Sequence, residues 1–192
     1  MWLGVDVGAE RKGFDVALID THLHLAHLAS RLDVAAVVEL IRRLKPEVVG
    51  IDSPRVAAAD GACHRDGELL LNSLVCRIRW TPDTKTLSTS PYYAWIRHGL
   101  KLYEVVGSIK GPCVIEVFPT ASWTRWLDAR VGTRARWTRE GLTRLPLTDI
   151  PPRTNQDQRD AIAAALTAWQ LSRKQCEFFG EIVVPVRGLP VA

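Results

Sequence analysis

The 192-residue chain has no Cys-x-x-Cys pair, no histidines at zinc-finger spacing around its four cysteines, and no apolar run long enough to span a bilayer. Cys63, Cys76, Cys113 and Cys176 are scattered. That excludes a zinc ribbon or a disulfide framework, and buried free thiols in a reducing, cytoplasmic setting are expected. The longest stretch without Asp, Glu, Lys or Arg runs from Ala161 to Ser172, short of the roughly 20 residues a membrane helix needs. The chain enters an apolar strand directly, without the basic and apolar regions of a secretory signal. It also lacks internal repeats, low-complexity tracts and a linker, since the loop over 145–153 is too short to tether two domains. A single domain over 1–192 is expected, large enough to bury roughly 70% of its unfolded surface.

The net charge of +4 is small, and its distribution says more than its size. Between Ala121 and Arg144 lie Arg125, Arg130, Arg134, Arg136, Arg139 and Arg144, interleaved with Trp123, Trp126 and Trp137. Such a stretch suits a groove for a phosphate backbone. It also suits a solvated basic face over core tryptophans, because aromatic residues three apart on a helix more often pack inward.

Apolar runs and turn residues predict strands over 2–8, 14–20 and 22–29, close enough in sequence for an antiparallel meander. Asp33 then caps a helix whose apolar positions Val34, Val37, Val38, Ile41 and Leu44 recur at helical spacing, and Pro46 stops it. The run 47–52 is a further strand, reached by a parallel crossover. Helical patterns follow over 68–78 and 91–106, the second with a stripe of Tyr92, Trp95, Ile96, Gly99, Leu100 and Tyr103 opposite Arg97, His98 and Lys101, so that His98 is expected in solvent. A strand over 113–118, one or two Trp- and Arg-rich helices, a helix opening near Thr154 and broken by Gly180, and a strand over 182–186 complete the chain.

The chemistry resides in the acids. Asp6 and Asp52 end strands, Glu116 lies inside an apolar strand, and Asp157 and Asp160 share one face of the last helix. Parallel strands bring their C-terminal ends to one rim, and hard oxygen donors from separate elements suit Mg²⁺ or Mn²⁺. Each acid has an alternative role. Asp6 and Asp52 can cap turns, Glu116 can pair with an arginine, and Thr154 with Asp157 forms a capping-box pattern. Asp160, a turn further in and followed by apolar residues, has no capping role. Lys12, Arg55, Arg125, Arg134 and Arg136 are candidate nucleic-acid contacts.

Gly4-Val5-Asp6-Val7-Gly8, Gly50-Ile51-Asp52-Ser53-Pro54, Glu116-Val117-Phe118-Pro119-Thr120 and Gln156-Asp157-Gln158-Arg159-Asp160-Ala161 resemble the family termed domain of unknown function 429, predicted nucleases of the ribonuclease H-like fold. The resemblance implies a mixed five-stranded sheet with helices on both faces, a helical insertion between strands 4 and 5, and Mg²⁺- or Mn²⁺-dependent cleavage of nucleic acid. On the superfamily pattern Asp6 is the first-strand metal ligand and Asp160, with Asp157, the last-helix ligand. Glu116 or Asp52 completes the set. The spacing of Asp157 and Asp160 is also similar to that of the last-helix acids of Holliday-junction resolvases. Two other expectations remain open: an actin-like phosphotransferase or ATPase, whose sheet order is similar, and an inactive nucleic-acid-binding protein of the same fold.

Overall fold

The computed structural model describes residues 1–190. Strands β1 (Trp2–Val7), β2 (Phe14–Ile19) and β3 (Leu25–Leu32) form the expected meander. Helix α1 (Val34–Leu44) follows, capped by Asp33, whose carboxylate accepts from the Ala36 amide at 2.8 Å. It returns the chain to β4 (Val48–Asp52), parallel to β1. The insertion before β5 (Cys113–Val117) holds α2 (Asp66–Leu74), α3 (Thr84–Thr89), a 3-10 turn and α4 (Ala94–Gly107). Helices α5 (Pro119–Leu127), α6 (Arg134–Leu142) and α7 (Gln156–Ser172) then precede β6 (Cys176–Phe179) and β7 (Ile182–Pro185).

The sheet has seven strands rather than five, in the order β3-β2-β1-β4-β5-β7-β6. The β6–β7 hairpin forms one edge of it, and β3 the other. The last helix does not reach Gly180. It ends at Ser172, Lys174 takes a left-handed φ of 58°, and Gly180 at φ 59° turns β6 back onto β7.

Alternation along the strands sorts the sheet into two faces. Trp2, Ala17, Ile19, Val48, Ile115 and Val117 pack with α7 and with Trp123, Trp126 and Trp137 of α5 and α6. Leu3, Val5, Val16, Val49 and Ile51 pack on the opposite side with Val37 and Ile41 of α1 and Leu102 and Val106 of α4. The tryptophans of the basic segment are therefore core residues.

Helix α7 lies on the sheet at backbone contact. A Cβ on Gly4 would collide with the Ala161 carbonyl and the Ala165 amide, and one on Gly50 would lie 2.7 Å from the Ala164 carbonyl. The alanine run over 163–165 is fully buried beneath this approach. No larger pair of surfaces allows a helix so near two strands.

Three local expectations are corrected. The α7 cap is Asn155, which accepts from the Gln158 amide at 2.8 Å while Gln158 Oε1 accepts from the Asn155 amide at 3.0 Å. Thr154 and Asp157 are thereby released from the capping box. In α4 the buried positions are Ile96, His98, Gly99, Leu102, Tyr103 and Val106. Leu102 and Val106 turn the inner face past Trp95, and His98 is buried, stacked on Phe14 and donating Nδ1–H to the Gly8 carbonyl at 2.7 Å. The cysteines are free but not buried: Cys63 and Cys113 are exposed, Cys76 and Cys176 half-buried.

Gly4→Ala is expected to destabilise the protein by about 3 kcal/mol or more, because backbone on both sides of the clash must move. Urea unfolding checks this, and an unshifted midpoint would contradict the placement of α7.

Candidate metal centre

Three aspartates stand in one row across three strands. Asp6 is opposite Asp15 in the antiparallel β1–β2 pair and opposite Asp52 in the parallel β1–β4 pair. Asp6 shares the phase of Trp2 and Gly4, Asp52 that of Val48 and Gly50, and Asp15 that of Ala17, so the row belongs to the α7 face. The first two turns of α7 bring Asp157 and Asp160 over it. One carboxylate oxygen from each of Asp6, Asp15 and Asp157 lies within 4.8 Å of the others.

Electrostatics mark this group as incomplete. Burial, then the charges of Asp160 and Asp157, push the Asp6 carboxyl up to about 8 against the pull of Lys12. Burial and the neighbouring Asp6 and Asp160 raise Asp52 well above the carboxylate range, with Arg134 opposing. Asp15 is raised by burial, against hydrogen bonding from Ser30 and the Arg31 backbone, and its Oδ1 is enclosed without a hydrogen-bond partner. Lys12 Nζ reaches Asp157 at 2.8 Å. A buried acceptor left unpaired amid like charges is costly, and a divalent cation would relieve that cost. The hard oxygens of Asp6, Asp15 and Asp157 fit one, with Asp52 alongside.

Asp160 is held differently. It accepts from Arg134 Nη2 at 2.9 Å, from Gln156 Nε2 at 3.1 Å and from the Trp123 indole at 3.3 Å. Burial raises its pKa, and Arg134 works against the shift. Asp160 thus borders the row, but donors occupy its oxygens, and the three-oxygen group contains Asp15 and Asp157 in its place.

Glu116 does not join the acids. It shares the phase of Val114, one residue away from Ile115 and Val117, and faces the other side of the sheet. There Arg65 grips it with two hydrogen bonds of 2.8 and 2.5 Å, and the Arg55 amide donates a third at 2.8 Å. Arg65 also bridges to Glu68 at 3.0 Å, and Glu68 accepts from the Thr81 amide at 3.0 Å. Glu116 therefore anchors the insertion to β5, the arginine-paired alternative. Its remaining carboxylate capacity is small.

Of the basic candidates, Lys12 and Arg134 stand at the acids. Arg125 pairs with Glu177 at 2.6 Å and Arg136 with Glu140 at 2.6 Å, and the Arg55 guanidinium donates to the Val114 carbonyl at 3.1 Å. Sequence reasoning missed Asp15. Its signal was the one applied to Glu116, a charge inside an otherwise apolar strand, combined with the short hairpin that sets it opposite Asp6.

Comparison with protein-family models returns no match, and neither does comparison with curated proteins. The family resemblance of the four motifs has no support from that side. Among solved structures the chain is similar to a Thermus thermophilus RuvC structure, at 16% identity over 90% of this chain and 95% of that one, with a TM-score of 0.46. It is also similar to T. thermophilus RuvC in complex with a Holliday junction substrate, at 17% identity over 91% and 96%, with a TM-score of 0.47. The likeness is one of layout, a mixed sheet with helices, and the chemistry rests on the site itself.

A metal ion held by these acids would leave a pH signature. The folded pKa of Asp6, about 8, lies above its ordinary value of 3.8. Its contribution to the stability of the metal-free protein is therefore full below about pH 4 and lost as pH rises through about 8. Binding of Mn²⁺ must displace that proton, so the rise in melting temperature on adding Mn²⁺ is expected to be larger at pH 8.5 than at pH 6. An increment independent of pH would count against Asp6 as a ligand. Glu116→Gln is expected to cost on the order of 3 kcal/mol of stability for a broken buried pair and so to lower the melting temperature, while leaving the Mn²⁺ increment unchanged.

Proposed function

We propose that the protein is a divalent-metal-dependent nuclease that hydrolyses phosphodiester bonds at the Asp6–Asp15–Asp157 cluster, with Mg²⁺ or Mn²⁺ as the cofactor. The observation that carries this reading is the approach of one carboxylate oxygen each from Asp6, Asp15 and Asp157 to within 4.8 Å of one another. A divalent ion held there supplies positive charge for a phosphodiester's developing negative charge and lowers the pKa of water.

The chain's own groups do the rest. Asp6 and Asp15 are fixed by strand pairing, and Asp157 by the cap and close packing of α7, so the donor set is rigid before substrate arrives. Lys12 and Arg134, each now on an acid of the site, are the cations placed to take backbone phosphates. A phosphate that draws Arg134 away removes the only cationic partner of Asp160 and leaves its Oδ2 with the Gln156 amide alone, which couples substrate binding to the charge of the acidic site. The four motifs' resemblance to predicted nucleases points the same way.

Cleavage of labelled single-stranded, duplex, hybrid and branched substrates in Mn²⁺ tests this. Asp6→Asn and Asp15→Asn are each expected to lose on the order of 100-fold or more in rate, with folding unchanged by circular dichroism, whereas Glu116→Gln retains cleavage at temperatures where it is folded. No cleavage of any substrate by the wild type, with nucleic acid still bound, would identify an inactive binding protein of this fold.

A further inference from the structure

A cavity of about 740 Å³ opens beside Asp52, between the ends of β4 and β5 and the insertion. Its acids Glu68 and Glu116 both pair with Arg65, which leaves one negative charge between them for the other lining arginines to outweigh. Arg77, Arg79 and Arg130 also line it, are exposed, and have no hydrogen-bond or ion-pair partner among the described residues. The cavity is therefore net basic at its rim. One wall is Trp95, half-buried on α4 and turned out of that helix's core face.

A tryptophan beside unpaired arginines offers a π-face for a base and charges for the phosphates on either side of it. The volume lies within the range of small-molecule pockets, about 300–1,000 Å³, and suits one nucleotide. A base inside a continuous duplex cannot reach such a wall without leaving its stack. The cavity also runs up to Asp52, which abuts Asp6, so the phosphodiester next to a captured nucleotide lies near the acids.

We infer that this cavity binds one unstacked nucleotide, with its base on Trp95 and its flanking phosphates on Arg77, Arg79 and Arg130, and so selects single-stranded or splayed nucleic acid over intact duplex. This rests on the nuclease reading for its biological use but not for its test. The arginines and the tryptophan come from the insertion and from the loop before α6, outside the meander and α7 that form the acidic site. The two parts of the site can therefore be altered separately.

The test is fluorescence anisotropy in EDTA, where cleavage is silent, with a labelled oligonucleotide of about 12 nucleotides as a single strand and as a blunt duplex. The single strand is expected to bind at least ~10-fold more tightly than the duplex. Trp95→Ala is expected to weaken single-strand binding by about 10-fold and Trp95→Phe to restore most of it, because any aromatic face can stack. Arg79→Ala, an exposed change that spares the fold, is expected to reduce the salt dependence by about one counterion. Equal affinity for both forms, or unchanged single-strand binding in both Trp95→Ala and Arg79→Ala, overturns the inference. If Trp95→Ala fails to fold, Trp95→Phe and Arg79→Ala decide: wild-type-like binding by both, with the duplex bound as tightly, overturns it. Cleavage that is indifferent to Trp95 and to strandedness would remove this inference and leave the nuclease reading. Trp95-dependent binding without cleavage in Mn²⁺ would do the reverse.

Discussion

The contact on which the rest of the molecule depends is that of α7 with Gly4 and Gly50. Two glycines in neighbouring parallel strands and an alanine run on the helix remove the side chains that would hold the layers apart. The helix then lies close enough for Asp157 to reach Asp6 and Asp15, and for Asp160 to border them. Burying several aspartates together works against stability. The large apolar contact of α7, α5 and α6 with the sheet is what offsets that opposition.

The two faces of the sheet treat buried acids in opposite ways. On the insertion side Glu116 and Glu68 share Arg65 and backbone amides, a satisfied network that pins the insertion in place. On the α7 side Asp15 keeps a bare oxygen, and the Asp6 and Asp52 carboxyls shift upward. A satisfied buried pair orders a structure, while an unsatisfied cluster in a rigid frame has use for a cation. Asp160 is intermediate: its oxygens are occupied, but Arg134, its charged partner, is part-exposed and begins a helix next to an exposed loop.

Much of this was legible in the residues. The order of the first four strands with α1, the Asp33 cap, the parallel crossover to β4 and the closeness of the alanine run all follow from local chemistry, and the structure has them. The failures share a cause. Glu116 needed its phase compared with that of Ile115 and Val117, whose side depends on which helices cover which face. Asp15 needed the β1–β2 register. The inner face of α4 was misjudged because Trp95 counts as apolar in any stripe, yet Leu102 and Val106 decide which way the helix turns. The α7 cap moved by one residue, from Thr154 to Asn155, and that shift freed Asp157.

By itself the sequence determined the meander, the crossover, the Asp33 cap and the acidic character of the strand ends, because these depend on periodicity and on groups within a few residues of one another. Only the tertiary structure decided which acids meet. Asp6, Asp15 and Asp157 come from three elements, and their approach is set by strand register and by how far a helix can descend onto two glycines. Neither quantity is a property of any one segment. The same holds for Arg65 taking Glu116 and for Trp95 being left to the cavity wall, since each outcome depends on what the rest of the chain has already claimed.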